Sequence, residues 1–232
     1  TEEAPVETLA DVARAAAAPL IYDLGSGLLI DAETLGLPPE PRAADSIAAG
    51  VNVVVISGDK LLGGPQCGIL VGEAALMSRM RKNPLCRALR VDKVTLAGLE
   101  ATLRLYRDRA RALRDIPALR MLVADVDDLK ARADSLVARL RRSDVDCAVC
   151  ETEGAVGGGT YPGTTLPSWG VRIEHDAGAD ALMKALRDGA PSVIGRVVDH
   201  AVVLDVRTLM PGQTDSLLRR VREAVRAAAT AS

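Results

Sequence analysis

The sequence contains no phenylalanine, one tryptophan and three tyrosines in 232 residues. The core must therefore be built from Ala, Val, Leu and Ile, and a base-stacking surface for single-stranded nucleic acid is disfavoured. Four cysteines, Cys67, Cys86, Cys147 and Cys150, are too few for a disulfide scaffold in a chain of this length. Cys147-x-x-Cys150 has no second pair and falls on a predicted strand, so zinc or redox chemistry is the weaker reading. Cys67 and Cys86 have no evident base and read as small apolar residues. The two histidines, His175 and His200, lack motif context and read as structural. No apolar run is long enough to span a membrane, and the acidic opening TEEAPVETLAD is not expected to be a signal peptide. The chain is read as cytoplasmic with reduced thiols. Its net charge of -2 supplies no global basic field for nucleic acid.

What is present is an α/β pattern. Helical spacing covers Val6 to Ala17, and Leu20-Ile21-Tyr22-Asp23 is a short buried strand that leads into Gly25-Ser26-Gly27. Pro38, Pro39 and Pro41 mark a loop, and Asp45-Ser46 can cap a short helix before Gly50. The apolar runs 52–57 and 67–72 suit strands covered on both faces. A helix follows from Glu73 to Arg81. A longer one runs from Val94 to Arg111, with Leu96, Leu99, Leu103 and Tyr106 on one face. Composition shifts near Asp115-Ile116-Pro117. Beyond it the pattern gives a helix at 127–141, a strand at 145–150, a glycine turn at 157–159 and a strand at 169–174. A helix at 178–188, strands near 193–198 and 201–206, and a closing helix from Asp215 to Ala228 complete it. The bare glycine run 157–159 reads as a flexible turn more readily than as a phosphate cradle. The hairpin-like strands near the end give a smaller α+β layer. Two units are expected, 1–112 and 113–232.

The stretch VVVISGDKLLGGPQCGILVG, residues 53–72, is the most informative. Lys60 lies at the mouth of a buried strand, among small residues and beside Asp59. Lysines are rarely placed where the ammonium loses water. A partly desolvated lysine amine is a nucleophile able to form a Schiff base. Asp23 ends a second strand, and the carboxyl ends of parallel strands converge on one ligand-binding crevice. A lysine with an acid there matches pyridoxal phosphate, which needs an amine for its aldehyde and an acid against its pyridine nitrogen. Ser57 and the Gly63-Gly64 turn can offer a hydroxyl and backbone N–H groups to its phosphate. Taken singly, Asp23 and Lys60 are a turn acid and a solvated lysine; taken together they favour the cofactor reading.

These residues carry a resemblance. DLGSG at 23–27, SGDKLLGGPQCGILVG at 57–72, PLCRALRVDK at 84–93, GGGTYPGTTLPSW at 157–169 and PSVIGRVVDHAVVLDVRTL at 191–209 resemble bacterial selenocysteine synthase, the L-seryl-tRNA(Sec) selenium transferase. The resemblance covers nearly the whole chain. It implies a fold-type I, aspartate-aminotransferase-like fold, seen here as the C-terminal part of the large cofactor-binding domain (1–112) and a small C-terminal domain (113–232). It implies pyridoxal 5'-phosphate as cofactor, Lys60 as the lysine that carries it, Asp23 as the partner of the ring nitrogen and Asp59 as an assisting acid. By the same resemblance Arg87 and Arg90 bind selenophosphate. Three residues apart, they share a face on a helical turn and form a fork suited to an oxyanion; spacing alone would leave them as solvated arginines. Arg196, in the smaller unit, is either a substrate or cofactor contact or a structural ion pair.

The implied reaction converts seryl-tRNA(Sec) to selenocysteinyl-tRNA(Sec) in selenocysteine biosynthesis. Full-length members carry a further N-terminal region with a tRNA-recognising domain, and they assemble as a ring of dimers. The chain begins just before the Asp23 strand and lacks an initiator Met. It is therefore expected to be a fragment or a split-gene product, inactive and weak in cofactor binding when alone, with seryl-tRNA(Sec) engaged through a region outside it. Two rivals stand beside this reading: a paralogous cofactor-dependent lyase acting on a small amino acid or amino sugar acid, and a non-catalytic fragment serving assembly.

Overall fold

The computed structural model describes residues 4–157 and 159–230. They form two compact units, Thr1–Val123 with Gly157–Pro162, and Ala124–Val156 with Gly163–Ser232. The units part at Val123/Ala124 rather than at 112/113, because Ala112, Ile116 and Leu119 are fully buried and Ile116 packs on Gly63 of the first unit.

The first unit opens with α1 (Val6–Ala15) and β1 (Ile21–Gly25). Next come α2 (Ala43–Ala48), β2 (Val53–Ser57), β3 (Gly68–Gly72), α3 (Ala74–Lys82) and α4 (Pro84–Leu89). It closes with α5 (Lys93–Leu105), α6 (Arg109–Asp115) and α7 (Pro117–Leu122). The sheet order is β1-β2-β3, with β1 parallel to β2 and β3 antiparallel to it. Val54, Ile56, Leu24 and Leu62 form the core, with Leu99 and Tyr106 packed against them.

Two expectations are corrected here. The apolar run 67–72 predicts a strand covered on both faces, yet β3 is an edge strand with Leu70 and Val71 exposed. The helix expected over 94–111 is broken. Asp108 accepts the Arg111 amide and starts α6, so the chain turns after Leu105. Of its expected apolar face, Leu99 and Tyr106 point into the core, whereas Leu96 and Leu103 are exposed.

The second unit contains α8 (Val126–Arg141), β4 (Cys147–Ala155), β5 (Thr165–Ile173) and α9 (Ala179–Asp188). It continues with β6 (Arg196–Val198), β7 (Ala201–Asp205) and α10 (Thr214–Thr230). Its sheet is antiparallel, ordered β4-β5-β7-β6. Asp125 caps α8 by accepting the amides of Asp127 and Asp128 at 2.8 and 3.1 Å. Helices α8, α9 and α10 supply Leu129, Leu136, Leu182, Leu186, Leu218 and Val221 to a core shared with Val171, Ile173 and Val202. Arg220 is buried among them and donates to the Ala185 and Pro191 carbonyls, with Glu223 as counter-ion. No helix of the described residues is long and apolar enough to cross a membrane.

Leu182 is fully buried in this core. Leu182→Ala is expected to cost about 2–5 kcal/mol of stability in denaturant unfolding, through lost burial and a residual cavity.

Candidate active site

β1 and β2 run in register from Ile21↔Val53 to Asp23↔Val55, and the register then shifts so that Gly25 opposes Ile56. At this bulge Leu24 is buried, and Asp23, the middle residue of β1, is exposed. Gly25 takes a left-handed φ of 72°. A Cβ built on it would lie 3.7 Å from Lys60 Nζ and 3.8 Å from Asp23 Oδ1. The amine and the carboxylate oxygen therefore converge beside the Cα of one glycine, each at ordinary contact distance from the place of its missing Cβ.

The two strand-end loops are locked together through backbone. The Leu61 amide donates to the Ser26 carbonyl at 3.1 Å, and the Ser26 hydroxyl accepts the Leu28 amide. Gly27 sits so close to β2 that a Cβ would overlap the Ser57 carbonyl oxygen. Within the second loop, Gly58 N–H donates to Cys67 O and Gly64 N–H to Gly58 O, both at 2.8 Å, and Gly63 N–H donates to Lys60 O at 3.0 Å. Tyr106, at the C-terminus of α5, donates its hydroxyl to the Leu62 carbonyl at 2.9 Å, and burial pushes that phenol well above its ordinary pKa.

The phosphate role suggested for the Gly63-Gly64 turn is corrected by these bonds. Both amides are consumed inside the loop, and Gly63, at a positive φ, also has Ile116 in the place a Cβ would take. Ser57 is the half-buried last residue of β2, paired with Gly68. Asp59 is exposed, and Lys60 is half-buried. Burial, and then the Asp59 carboxylate, push the Cys67 thiol up, which keeps it protonated and supports its reading as a small packing residue.

Arg87 lies in the last turn of α4 and Arg90 is its C-cap, with an extended ψ of 138°. Both are exposed and neither forms a hydrogen bond or ion pair among the described residues. In the second unit Arg196 is held by structure: it donates to Glu153 O at 2.8 Å and to the Thr152 hydroxyl, and its guanidinium lies 3.7 Å from Asp205. His175 Nδ1 accepts the Ala177 amide at 3.1 Å and Nε2 faces Val225 O at 3.0 Å. Burial pushes the Cys147 and Cys150 thiols up. Among the described residues no cluster of three or more His, Cys, Asp or Glu could hold a metal ion. Gly158, the middle of the 157–159 glycine run, lies outside the described residues.

The sequence missed Gly25, Ser26, Leu61 and the hydroxyl of Tyr106 as the scaffold of the site. A readable signal existed for two of them. A Gly-x-Gly directly after a strand-end acid marks close backbone approach, and a tyrosine on an apolar helix face needs a partner for its polar tip.

The family model for L-seryl-tRNA selenium transferase matches residues 1–210. The chain is similar to the L-seryl-tRNA(Sec) selenium transferase of Moorella thermoacetica, 45% identical over 98% of this chain and 49% of the relative. It is also similar to that of Solidesulfovibrio magneticus, 46% identical over 90% of this chain and 46% of the relative. It spans about half the length of the curated relatives it matches. Among solved structures, a D-glucosaminate-6-phosphate ammonia-lyase superposes with a TM-score of 0.53 at 20% identity, over 98% of this chain and 54% of that one, a likeness of fold. The fold class is the one expected from the sequence, α/β of fold-type I, with two sheets.

Tyr106→Phe removes the tether from α5 to the Lys60 loop and leaves the Leu62 carbonyl without this donor. A loss of about 1 kcal/mol is expected in denaturant unfolding. Arg87→Gln, at an exposed and unpaired position, should leave the same curve unmoved within about 0.5 kcal/mol.

Proposed function

This chain belongs to the L-seryl-tRNA selenium transferase family, and from that premise we propose that it forms the Lys60-bearing part of an enzyme that converts L-seryl-tRNA(Sec) to L-selenocysteinyl-tRNA(Sec) with selenophosphate as selenium donor. The observation that carries the reading is the convergence of Lys60 Nζ and Asp23 Oδ1 over the Cα of Gly25. An amine and an acid brought to the same side of one glycine fit pyridoxal phosphate, whose ring is flat and needs both groups. When bound, the cofactor supplies an electron sink for the substrate's α-carbon.

The residues of this chain take the following parts. Lys60 would hold the cofactor through its Nζ, and its amine would be the base for the serine α-proton. Asp23 would lie against the ring nitrogen and favour its protonated form, and Ser57 would offer its hydroxyl at the end of β2. Asp59, exposed beside Lys60, assists as a neighbouring carboxylate. Arg87 and Arg90 bind the selenophosphate anion. Their guanidinium groups are exposed and pair with no carboxylate among the described residues.

In this reading the first unit belongs to the cofactor-binding domain and the second unit is the small domain, with the boundary at Val123/Ala124 in place of 112/113. The protein acts in the cytoplasm, where aminoacyl-tRNA is made and used, and as a homo-oligomer. Leu85, Leu89 and Val94 support oligomer formation, being large apolar side chains at 66%, 78% and 75% exposure.

In the protein that carries this chain, Lys60→Ala is expected to abolish both the visible absorbance of bound cofactor and selenocysteinyl-tRNA formation; absorbance retained by the variant would reject the assignment. Arg87→Ala and Arg90→Ala should each raise the KM for selenophosphate roughly tenfold or more while cofactor absorbance persists. Unchanged selenophosphate kinetics would remove both arginines from that role.

A further inference from the structure

Between Ala74 and Lys93 the chain carries six cations (Arg79, Arg81, Lys82, Arg87, Arg90 and Lys93) against one acid, Asp92, a local charge of +5. The whole chain sums to -2, so the remaining residues sum to -7. All six cations are exposed, and helices α3, α4 and α5 bury no residue at all. None of the six forms an ion pair among the described residues, whereas Arg14, Arg42, Arg104, Lys130, Arg172 and Lys184 each have a carboxylate partner. The two nearby acids are committed to neutral donors. Glu73 accepts from the Asn52 side-chain amide, and Asp92 accepts the Val94 and Thr95 amides at 2.6 and 2.9 Å.

Folding does not account for this segregation. The helix dipole favours cations in the last turn of α3, where Arg79, Arg81 and Lys82 lie. It disfavours Lys93, which is the first residue of α5. Like charges gathered on one stretch also repel one another, and no protein carboxylate relieves them here. Nor does a small anion account for it, since two guanidinium groups suffice to fork one oxyanion. Four further cations spread over two helices match a repeating polyanion. The segment contains no aromatic residue, so its contacts would be made to phosphates and not to stacked bases.

We propose that α3 and the start of α5 form a phosphate-backbone docking surface for the substrate tRNA, with Arg79, Arg81, Lys82 and Lys93 as its contacts. The surface strengthens binding without reading base sequence. It rests on the reading of function above, since seryl-tRNA is the RNA it would hold, and it places an RNA contact within this chain itself.

The test is equilibrium binding of seryl-tRNA(Sec) to the protein that carries this chain, over a range of salt concentrations. The triple variant Arg79→Gln, Arg81→Gln, Lys82→Gln is expected to bind about tenfold or more weakly near 0.1 M salt, with the slope of log K against log salt flatter by about 2–3. The loss should be the same for a tRNA of different sequence, and cofactor absorbance should not change. Lys93→Gln removes a cation from an unfavourable helix position, so it spares folding, and should by itself flatten the slope by about 0.9. Wild-type affinity and slope in both variants would overturn the proposal. So would a fall in light-scattering mass with RNA affinity intact, which would assign the surface to another subunit. If the wild-type protein itself does not bind seryl-tRNA(Sec), the functional reading fails first and the docking surface with it.

Discussion

The hydrogen bond from the Leu61 amide to the Ser26 carbonyl, together with the close seat of Gly27 against the Ser57 carbonyl, fixes the distance between the two strand-end loops. The rest of the site depends on that approach. Neither Asp23 nor Lys60 forms a side-chain hydrogen bond or ion pair among the described residues, so both are positioned by backbone while their functional atoms stay uncommitted. A site built in this way is preorganised without spending its reactive groups on its own architecture. The cost is carried by glycines. Gly25, Gly27 and Gly63 all take left-handed φ, and at Gly27 and Gly63 neighbouring atoms already fill the place a Cβ would need.

The Gly63-Gly64 turn shows how a glycine-rich loop can serve packing instead of anion binding. Its N–H groups close the loop onto Gly58 and Lys60 and so hold the backbone from which the lysine projects. Tyr106 adds a tether from outside the loop, donating to the Leu62 carbonyl from the end of α5. A helix otherwise exposed along much of its length is thereby tied to the chemistry at one residue. In the second unit the polar groups that look functional are spent on structure. Arg196 bridges β6 to the Glu153 carbonyl, Thr152 and Asp205, and Arg220 satisfies buried carbonyls beside the loop at Pro191.

Charge distribution carries a second lesson. A net charge of -2 conceals a +5 stretch of twenty residues whose cations form no ion pair among the described residues. Global charge speaks to long-range steering, while the local arrangement determines which surface meets an anion. Only the positions of Glu73 and Asp92, both held by neutral donors, reveal that the stretch is uncompensated.

The sequence by itself determined the α/β alternation and the two glycine-bearing segments, 23–27 and 57–72, that meet in the fold. Apolar periodicity and strand-end polar residues are local signals, and they persist in a single chain. The tertiary structure decided what each glycine is for, which face of α5 is inward and where the first unit ends. Those depend on which atom occupies the space beside a given Cα: Ile116 beside Gly63, the Ser57 carbonyl beside Gly27, and Lys60 Nζ with Asp23 Oδ1 beside Gly25. Such neighbours are distant in sequence, and no local pattern encodes them. Residues 57–60 show the division most clearly: their order along the chain singled out Lys60 as a candidate, and the fold of residues 25–27 decided what its amine lies beside.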